Sequence, residues 1–463
     1  MLGRKYLCTY ELFSSIPTLD ERQTVTQEIL AWNETMKTGS KARLVRDGER
    51  QVAPKFNLTE KHILTIERLA LEPEHMLGIT TIFDQFDDAF VKSNFWQMWC
   101  TTFAFQPWHS AVEFKRYLLR FSHMVGGFNR LEGIMRTVYN QFDSMVRPLE
   151  KWLKARGVRF ELNTRVTDLA FIEQGGRTAI SNIQYIRGGH TGHVPVHKQD
   201  QVLVTLGSMT EGSSLGSMER APMLLGKESG GSWSLWQKIA ENRPEFGQPS
   251  VFCEHIQESK WVSFTVTMNN SALLHFVRDF TGNVPGEGGL LTFPESSWLM
   301  SIVIPHQPHF IGQPDNVSVL WGYGLSVDKA GDFTKKPMSE CTGREIMAEM
   351  LGHLRLQEGA TKILATSICI PCMMPFITSQ FLPRKAGDRP NIIPEGSMNF
   401  AFIGQYCELP DDVVFTVEYS IRSAQTAVYA LLGLNRRPPE VYKGEFDPRV
   451  LYRAFLALHD LTV

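Results

Sequence analysis

The stretch MNFAFIGQYCELPDDVVFTVEYSIRSAQTAVYALLGL, residues 398–434, decides the fold. Its opening, 398–406, is almost continuously apolar, the pattern of a buried strand. The turn CELPDD follows, and 412–434 reads as one long helix. Asp411 and Asp412 at its start complement the positive end of a helix dipole. Strand, acidic turn and long apolar helix form a unit of α/β nucleotide-binding folds. A second buried strand, QVLVTLG at 201–207, ends in glycine and runs into a Gly/Ser-rich stretch to 232. Such a loop lets backbone approach a cofactor or another chain segment closely.

Around these two strands the periodicity changes several times. Residues 20–60 are polar and mixed in charge, which predicts a surface helix and then a loop. From Phe83 to Phe128 aromatics crowd together, including FWQMW (95–99) and FAFQPWHS (103–110). Glu113, Phe114, Tyr117, Leu118 and Phe121 recur at helical spacing, so 110–123 reads as an amphipathic helix. Residues 145–156 read as another helix that Gly157 ends, followed by strand alternation in VRFEL (158–162). TRVTDLAFI (164–172) and ISNIQYI (180–186) pair naturally as a hairpin, and 251–325 has β character.

The 463 residues are 43% hydrophobic and 21% charged, enough to bury a sizeable core. Lys+Arg at 47 against Asp+Glu at 49 gives a net charge of −2, which argues against a nucleic-acid binder. The 29 Phe and 10 Trp exceed what a surface needs and fill either a core or an apolar cavity. No apolar run is long enough to cross a bilayer, and MLGRKYLCTYELF lacks the apolar stretch of a secretory signal. An odd count of seven cysteines makes no disulfide framework, so a cytoplasmic home is expected.

Motifs narrow the chemistry only a little. G-x-G-x-x-G, Walker A and H-E-x-x-H are all absent. The one G-x-S-x-G, 212–216, precedes a poor helix start and reads as a turn rather than a nucleophile elbow. Cys369 and Cys372 stand without a second pair and read as buried thiols, and no metal site is expected. Tyr117 sits among Lys115, Arg116 and Arg120, so its hydroxyl is either a proton donor with a lowered pKa or a plain core tyrosine. Gln141, His109, His306 and His309 are likewise cavity groups or ordinary structural residues.

Longer runs carry a resemblance. FAFQPWHSAVEFKRYLLRF (103–121), YNQFDSMVRPL (139–149), VTLGSMT (204–210), WLMSIVIPHQPHF (298–310), the segment 374–390 and 404–425 together resemble the oleate hydratase family, also called myosin-cross-reactive antigens. The likeness runs in order from about residue 3 to about 435. It implies an FAD-dependent flavoprotein fold and a hydratase adding water to a double bond of a long-chain unsaturated fatty acid. It further implies Tyr117 as the proton donor, and Gln141 and His309 as substrate contacts. In the family run T-x-N-x-x-x-H, Val303 and Pro305 here replace two hydrogen-bond donors, a loss of roughly 1–3 kcal/mol each in carboxylate recognition.

The family's dinucleotide fingerprint and water-activating Glu precede the region matching residues 6–17, and Arg4 and Lys5 stand near the expected place of that Glu. The expectation is therefore an α/β, Rossmann-like flavoprotein fold that is incomplete, with a mixed sheet and helical substrate domain. Remaining flavin contacts fall on Gly207, Ser208, Met209 and Thr210, and on Gly404, Asp412 and Val414. The expected organisation is 1–20 as a remnant of the FAD-binding domain, 21–144 as the aromatic substrate-cavity region and 145–225 as FAD-domain β segments. Then come 226–390 as a β-rich substrate domain, 391–440 as the FAD-domain strand and closing helix, and 441–463 as a tail. The family likeness implies a homodimer and transient membrane-surface contact, though no basic amphipathic helix stands out. A double-bond isomerase or cyclase, or a non-catalytic lipid-binding protein, remain alternatives on the same residues.

Overall fold

In the computed structural model, which describes residues 2–356 and 358–461, an eight-stranded mixed sheet forms the largest element. Its spatial order is Glu49–Val52, Ala42–Arg46, Leu290–Thr292, Met300–Val303, Ser318–Gly324, Trp261–Met268, Ser367–Met374 and Ser214–Leu215. Pairings are antiparallel except where Thr292 meets Leu44 in parallel. The central strand alternates, with Val262, Phe264, Val266 and Met268 buried. These side chains join an apolar core with residues of the helices Ala272–Thr281 and Gly343–His353. The sheet thus accounts for the β character of 251–325, with a helix set into it.

The expected surface loop after residue 36 is instead the hairpin of Ala42–Arg46 and Glu49–Val52. Composition hid it because Arg43 is fully buried, its guanidinium donating to the Phe128 carbonyl (2.9 Å) and Thr102 Oγ1 (2.9 Å). The hairpin extends the sheet of the 226–390 region, so 21–144 contributes strands as well as helices.

Beside this sheet lies the nucleotide-fold unit read from the sequence. Val202–Thr205 pairs in parallel with Phe400–Ile403, and the helix Val417–Leu431 follows the second strand. Thr164–Gln174 and Arg177–Arg187 pair antiparallel, as the hairpin alternation predicts, and His190–Pro195 adds a third strand that its polar sequence does not signal. Asn399 joins the two: its side chain accepts from Ile180 N (2.9 Å) and donates to Ile180 O (2.9 Å). VRFEL, by contrast, pairs with no strand among the described residues, and Val158, Phe160 and Leu162 are exposed.

The long helix begins later than its sequence pattern implies. Thr416 caps it by accepting from Tyr419 N, and Asp411 and Phe415 both adopt left-handed backbone that breaks helical continuity before that cap. Gln405 holds the loop, with its side-chain oxygen accepting from Phe415 N and its amide donating to Thr416 O (3.0 Å) and Ser420 Oγ (2.7 Å). Asp412 is therefore not a dipole partner of the helix. It is a buried counter-ion.

Its carboxylate accepts from Arg120 Nε (3.1 Å), Arg422 Nε (2.8 Å) and Val413 N (3.0 Å). Arg422 also donates to Glu418 (3.0 Å). Glu418 in turn accepts from Cys8 N (3.0 Å), Thr9 N (2.9 Å) and Thr9 Oγ1 (2.8 Å), closing the start of the helix Leu7–Phe13. Three segments remote in sequence, the helix Leu7–Phe13, the helix Ala111–Arg120 and the stretch 412–422, meet at this chain of charges. Asp412→Asn leaves Arg120 buried without a counter-ion, and it should cost about 3–5 kcal/mol. Urea unfolding should show a lowered midpoint at unchanged slope. A loss under about 1 kcal/mol, the size of an exposed pair, would contradict this assignment.

Candidate functional site

Ser110 starts the helix Ala111–Arg120, its hydroxyl accepting from Glu113 N (3.4 Å). The helix is amphipathic in sequence, yet Glu113, Lys115, Arg116 and Arg120 are all buried. Each is spent on a specific partner. Lys115 donates to the carbonyls of Leu69 (3.0 Å), Ala70 (2.9 Å) and Glu72 (2.6 Å) at the end of the helix Glu60–Leu71. Arg116 pairs with Glu74 (2.8 Å) and Glu408 (2.8 Å). Glu113 lies 2.9 Å from Arg389 and 3.2 Å from Arg384.

Tyr117 points from this helix into an aromatic cage. Phe105, Phe103, Phe121 and Phe381 surround it with ring centroids at 4.9, 5.1, 5.4 and 5.6 Å. Its hydroxyl donates to the Val414 carbonyl at 2.6 Å. Burial is the main reason its pKa stands well above the usual phenol value, and nearby Tyr6, Glu113 and Asp412 add to the rise against Arg389. Of the two readings open from the sequence, the one with a pKa lowered by neighbouring cations does not hold, because Lys115, Arg116 and Arg120 turn to other partners. Tyr117 stays protonated, a hydrogen donor rather than a phenolate.

A cavity of about 450 Å³ lies between the segments 131–141 and 303–309. Trp32, Leu131, Ile134, Leu290 and Trp321 give it apolar walls. Gln141, His306, His309, Asn140 and Arg136 give it polar groups. The structure thus brings Gln141 and His309 together, along with the replaced positions Val303 and Pro305. The two limbs are stapled: the His309 carbonyl accepts from Asn140 N (2.9 Å) and Nδ2 (3.1 Å), and Asp143 accepts from Ile311 N (3.0 Å). Burial lowers the pKa of both His306 and His309, which favours neutral imidazoles.

Sequence reasoning missed Arg136 and Trp32. The Arg136 guanidinium donates to the Gly286 carbonyl (3.0 Å), and among the described residues no carboxylate lies within ion-pair distance. Burial drops its pKa to about 10. Gly289 makes room for it, since a Cβ there would sit 2.2 Å from the guanidinium nitrogens. A half-buried cation without a carboxylate partner among the described residues, set in the wall of an apolar cavity, suits an anionic ligand. Tyr117 is not on the cavity wall. Tyr323 and Trp321, which are, lead toward it through Trp261, Phe415 and Phe381, with successive centroids 5.0 to 6.3 Å apart.

The turns expected to contact a flavin leave the same end of the parallel pair, where Thr205 faces Ile403. Ligands of open α/β sheets bind at such carboxyl ends. Gly207 has φ 57°, and a Cβ on it would lie 2.6 Å from the Trp233 ring, so only glycine fits. Ser208 and Met209 are half-buried and Thr210 is exposed. Gly404, at φ 97°, donates its N–H to Ser423 Oγ (3.0 Å). The Asp412 carboxylate and the Val414 carbonyl are already engaged by Arg120, Arg422 and Tyr117. Within the 207–210 turn the Thr210 N–H already donates to Ser208 Oγ (3.4 Å).

Other motif residues are structural. His109 is buried, its Nδ1 accepting from Gln106 N (2.9 Å), and burial depresses its pKa to about 3. Cys369 and Cys372, three apart on the strand Ser367–Met374, face opposite sides of the sheet and cannot share an ion. Ser214 lies in the short strand Ser214–Leu215 at the sheet edge, with no helix following.

Comparison with known proteins places the whole arrangement. The chain is 37% identical to an oleate hydratase of Streptococcus pyogenes serotype M49 (strain NZ131) over 465 residues, 98% of this chain and 79% of that protein. It is 32% identical to a linoleate hydratase of Lactiplantibacillus plantarum over 489 residues, 99% of this chain and 85% of that one. A solved oxidoreductase from Methanosarcina mazei superposes with a TM-score of 0.43 at 10% identity, over 86% of this chain and 85% of that one, too loose a likeness to argue from. The sequence model of the MCRA family matches residues 1–429, and the chain belongs to that family.

Proposed function

We propose that this protein adds water across a carbon–carbon double bond of a long-chain unsaturated fatty acid. The unpaired Arg136 guanidinium beside His309 and Gln141, at the polar part of an otherwise apolar cavity, carries this reading. An acyl chain needs apolar walls and its carboxylate a cation. About 450 Å³ falls in the range of roughly 300–1,000 Å³ that small-ligand sites occupy. Nearly full-length likeness to two relatives named as fatty-acid hydratases supports it. Arg136 also compensates for the donors lost at Val303 and Pro305.

In this reading the acyl chain extends from Arg136 past Trp321 and Tyr323 toward Tyr117. Tyr117 gives its proton to one alkene carbon, the oxygen of water bonds to the other, and the proton released by that water restores the tyrosine. A high pKa keeps the donor loaded, and the aromatic cage excludes bulk water and faces the developing positive charge. FAD would be held at Gly207, Ser208, Met209, Thr210 and Gly404, with Asp412 and Val414 behind them, and when bound it would organise the site without net electron transfer. The helix Pro448–Leu458 has no buried residue and shows Leu451, Tyr452 and Phe455 beside Arg449 and Arg453, which supports membrane-surface contact for lipid uptake. Among the described residues no helix is long and apolar enough to cross a membrane.

Tyr117→Phe should lower kcat on an unsaturated acid by about 10²–10⁴-fold. Its stability cost should be only about 0.5–1.5 kcal/mol, one hydrogen bond. Retained turnover would remove the tyrosine as acid. Arg136→Gln should raise KM for the free acid by roughly 10- to 150-fold, the worth of a charge-assisted hydrogen bond of about 1.5–3 kcal/mol. The methyl ester, which carries no charge, should lose far less. Equal losses for acid and ester would show that Arg136 does not bind the carboxylate.

A further inference from the structure

Behind the large sheet, away from the cavity, Asp332, Glu349 and His353 converge with one ligand atom each, all within 4.8 Å of one another. Glu349 and His353 are one turn apart on the helix Gly343–His353 and face the loop that carries Asp332. His353 Nε2 lies 3.4 Å from Asp332 Oδ2 and 3.5 Å from Glu349 Oε1. Both distances are too long for good N–H···O hydrogen bonds, and the buried nitrogen has no hydrogen-bond partner. The imidazole is only 10% exposed. Phe293 and Phe333 flank the ring with centroids at 5.5 and 5.2 Å.

We propose that these three side chains form a site for a divalent cation of the zinc class. A tetrahedral ion with bonds of about 2.1 Å has ligand–ligand edges of about 3.4 Å, which the two distances from His353 match. The carboxylates are held in place by other bonds. Asp332 accepts from Ser297 N (2.8 Å) and Ser297 Oγ (2.6 Å). Glu349 accepts the backbone N–H groups of Asp332 (2.5 Å), Phe333 (2.9 Å) and Thr334 (2.8 Å). Two carboxylates and a neutral imidazole balance a charge of +2. Asp332, 35% exposed, leaves the fourth position open to water. The ion would tie the 332–334 loop to the end of the helix, a structural role rather than a catalytic one. Nothing in it depends on the fatty-acid reading.

The test is titration of the chelator-treated full chain with Co²⁺, followed by visible absorbance, and with Zn²⁺, followed by Tm. The expected result is one equivalent of cobalt with the spectrum of a four-coordinate oxygen and nitrogen site, and a Tm that rises with zinc concentration. His353→Ala should lose both signals. Asp332→Asn is a second variant that keeps one acceptor oxygen for Ser297 and should weaken binding at least tenfold, with circular dichroism checking that each variant folds. No saturable binding would overturn the proposal. Binding unchanged in both variants, or a thiolate charge-transfer band from any of the seven free cysteines, would equally overturn it.

Discussion

The buried carboxylate of Asp412, shared between Arg120 and Arg422, is the constraint on which the rest of the site depends. Arg120 ends the helix that carries Tyr117, Arg422 lies in the helix that follows the parallel strand, and Asp412 sits in the loop between strand and helix. Glu418 extends the same chain of charges to the helix Leu7–Phe13. Such a network contributes little net energy against an apolar alternative, because desolvating the ions offsets their attraction. What it supplies is position. Val414, two residues beyond Asp412, is thereby held where its carbonyl receives the Tyr117 hydroxyl.

That placement bears directly on the chemistry. A tyrosine among cations suggests a lowered pKa until their side chains are traced, and each proves to be committed elsewhere. What remains is a neutral hydroxyl in a cage of phenylalanines, kept protonated by burial. An alkene has no charge to be recognised by, so its position must be set from the far end of the substrate. The Arg136 guanidinium in the cavity wall suits that purpose, held by the Gly286 carbonyl on its guanidinium and by Asn33 on its backbone.

Much of this was legible before the structure. The two buried strands, the helix after the second, the hairpin of 164–172 with 180–186 and the helix of Tyr117 follow from local apolar periodicity and glycine stops, whereas the polar strand His190–Pro195 carries no such signal. The family resemblance located Gln141 and His309, which the fold brings to one cavity. The rest depends on partners that periodicity cannot see. Arg120 and Asp412 stand 292 residues apart. Arg43 read as a surface charge because nothing nearby in sequence reveals the carbonyls that bury it. The start of the long helix shifted because Gln405, ten residues before Phe415, holds the intervening loop out of helical form. Asp332 and His353 meet only because a loop folds back over a helix.

The central claim is that water adds to an alkene protonated by this protein. It is tested most directly by isotope incorporation, with an unsaturated fatty acid incubated in ¹⁸O-labelled water and, separately, in deuterium oxide, and the products read by mass spectrometry. The account predicts a hydroxy acid that gains one solvent oxygen and one carbon-bound solvent hydrogen. An acid with a shifted double bond, carrying solvent deuterium but no solvent oxygen, would contradict hydration and show that the protonated alkene is resolved by proton loss instead.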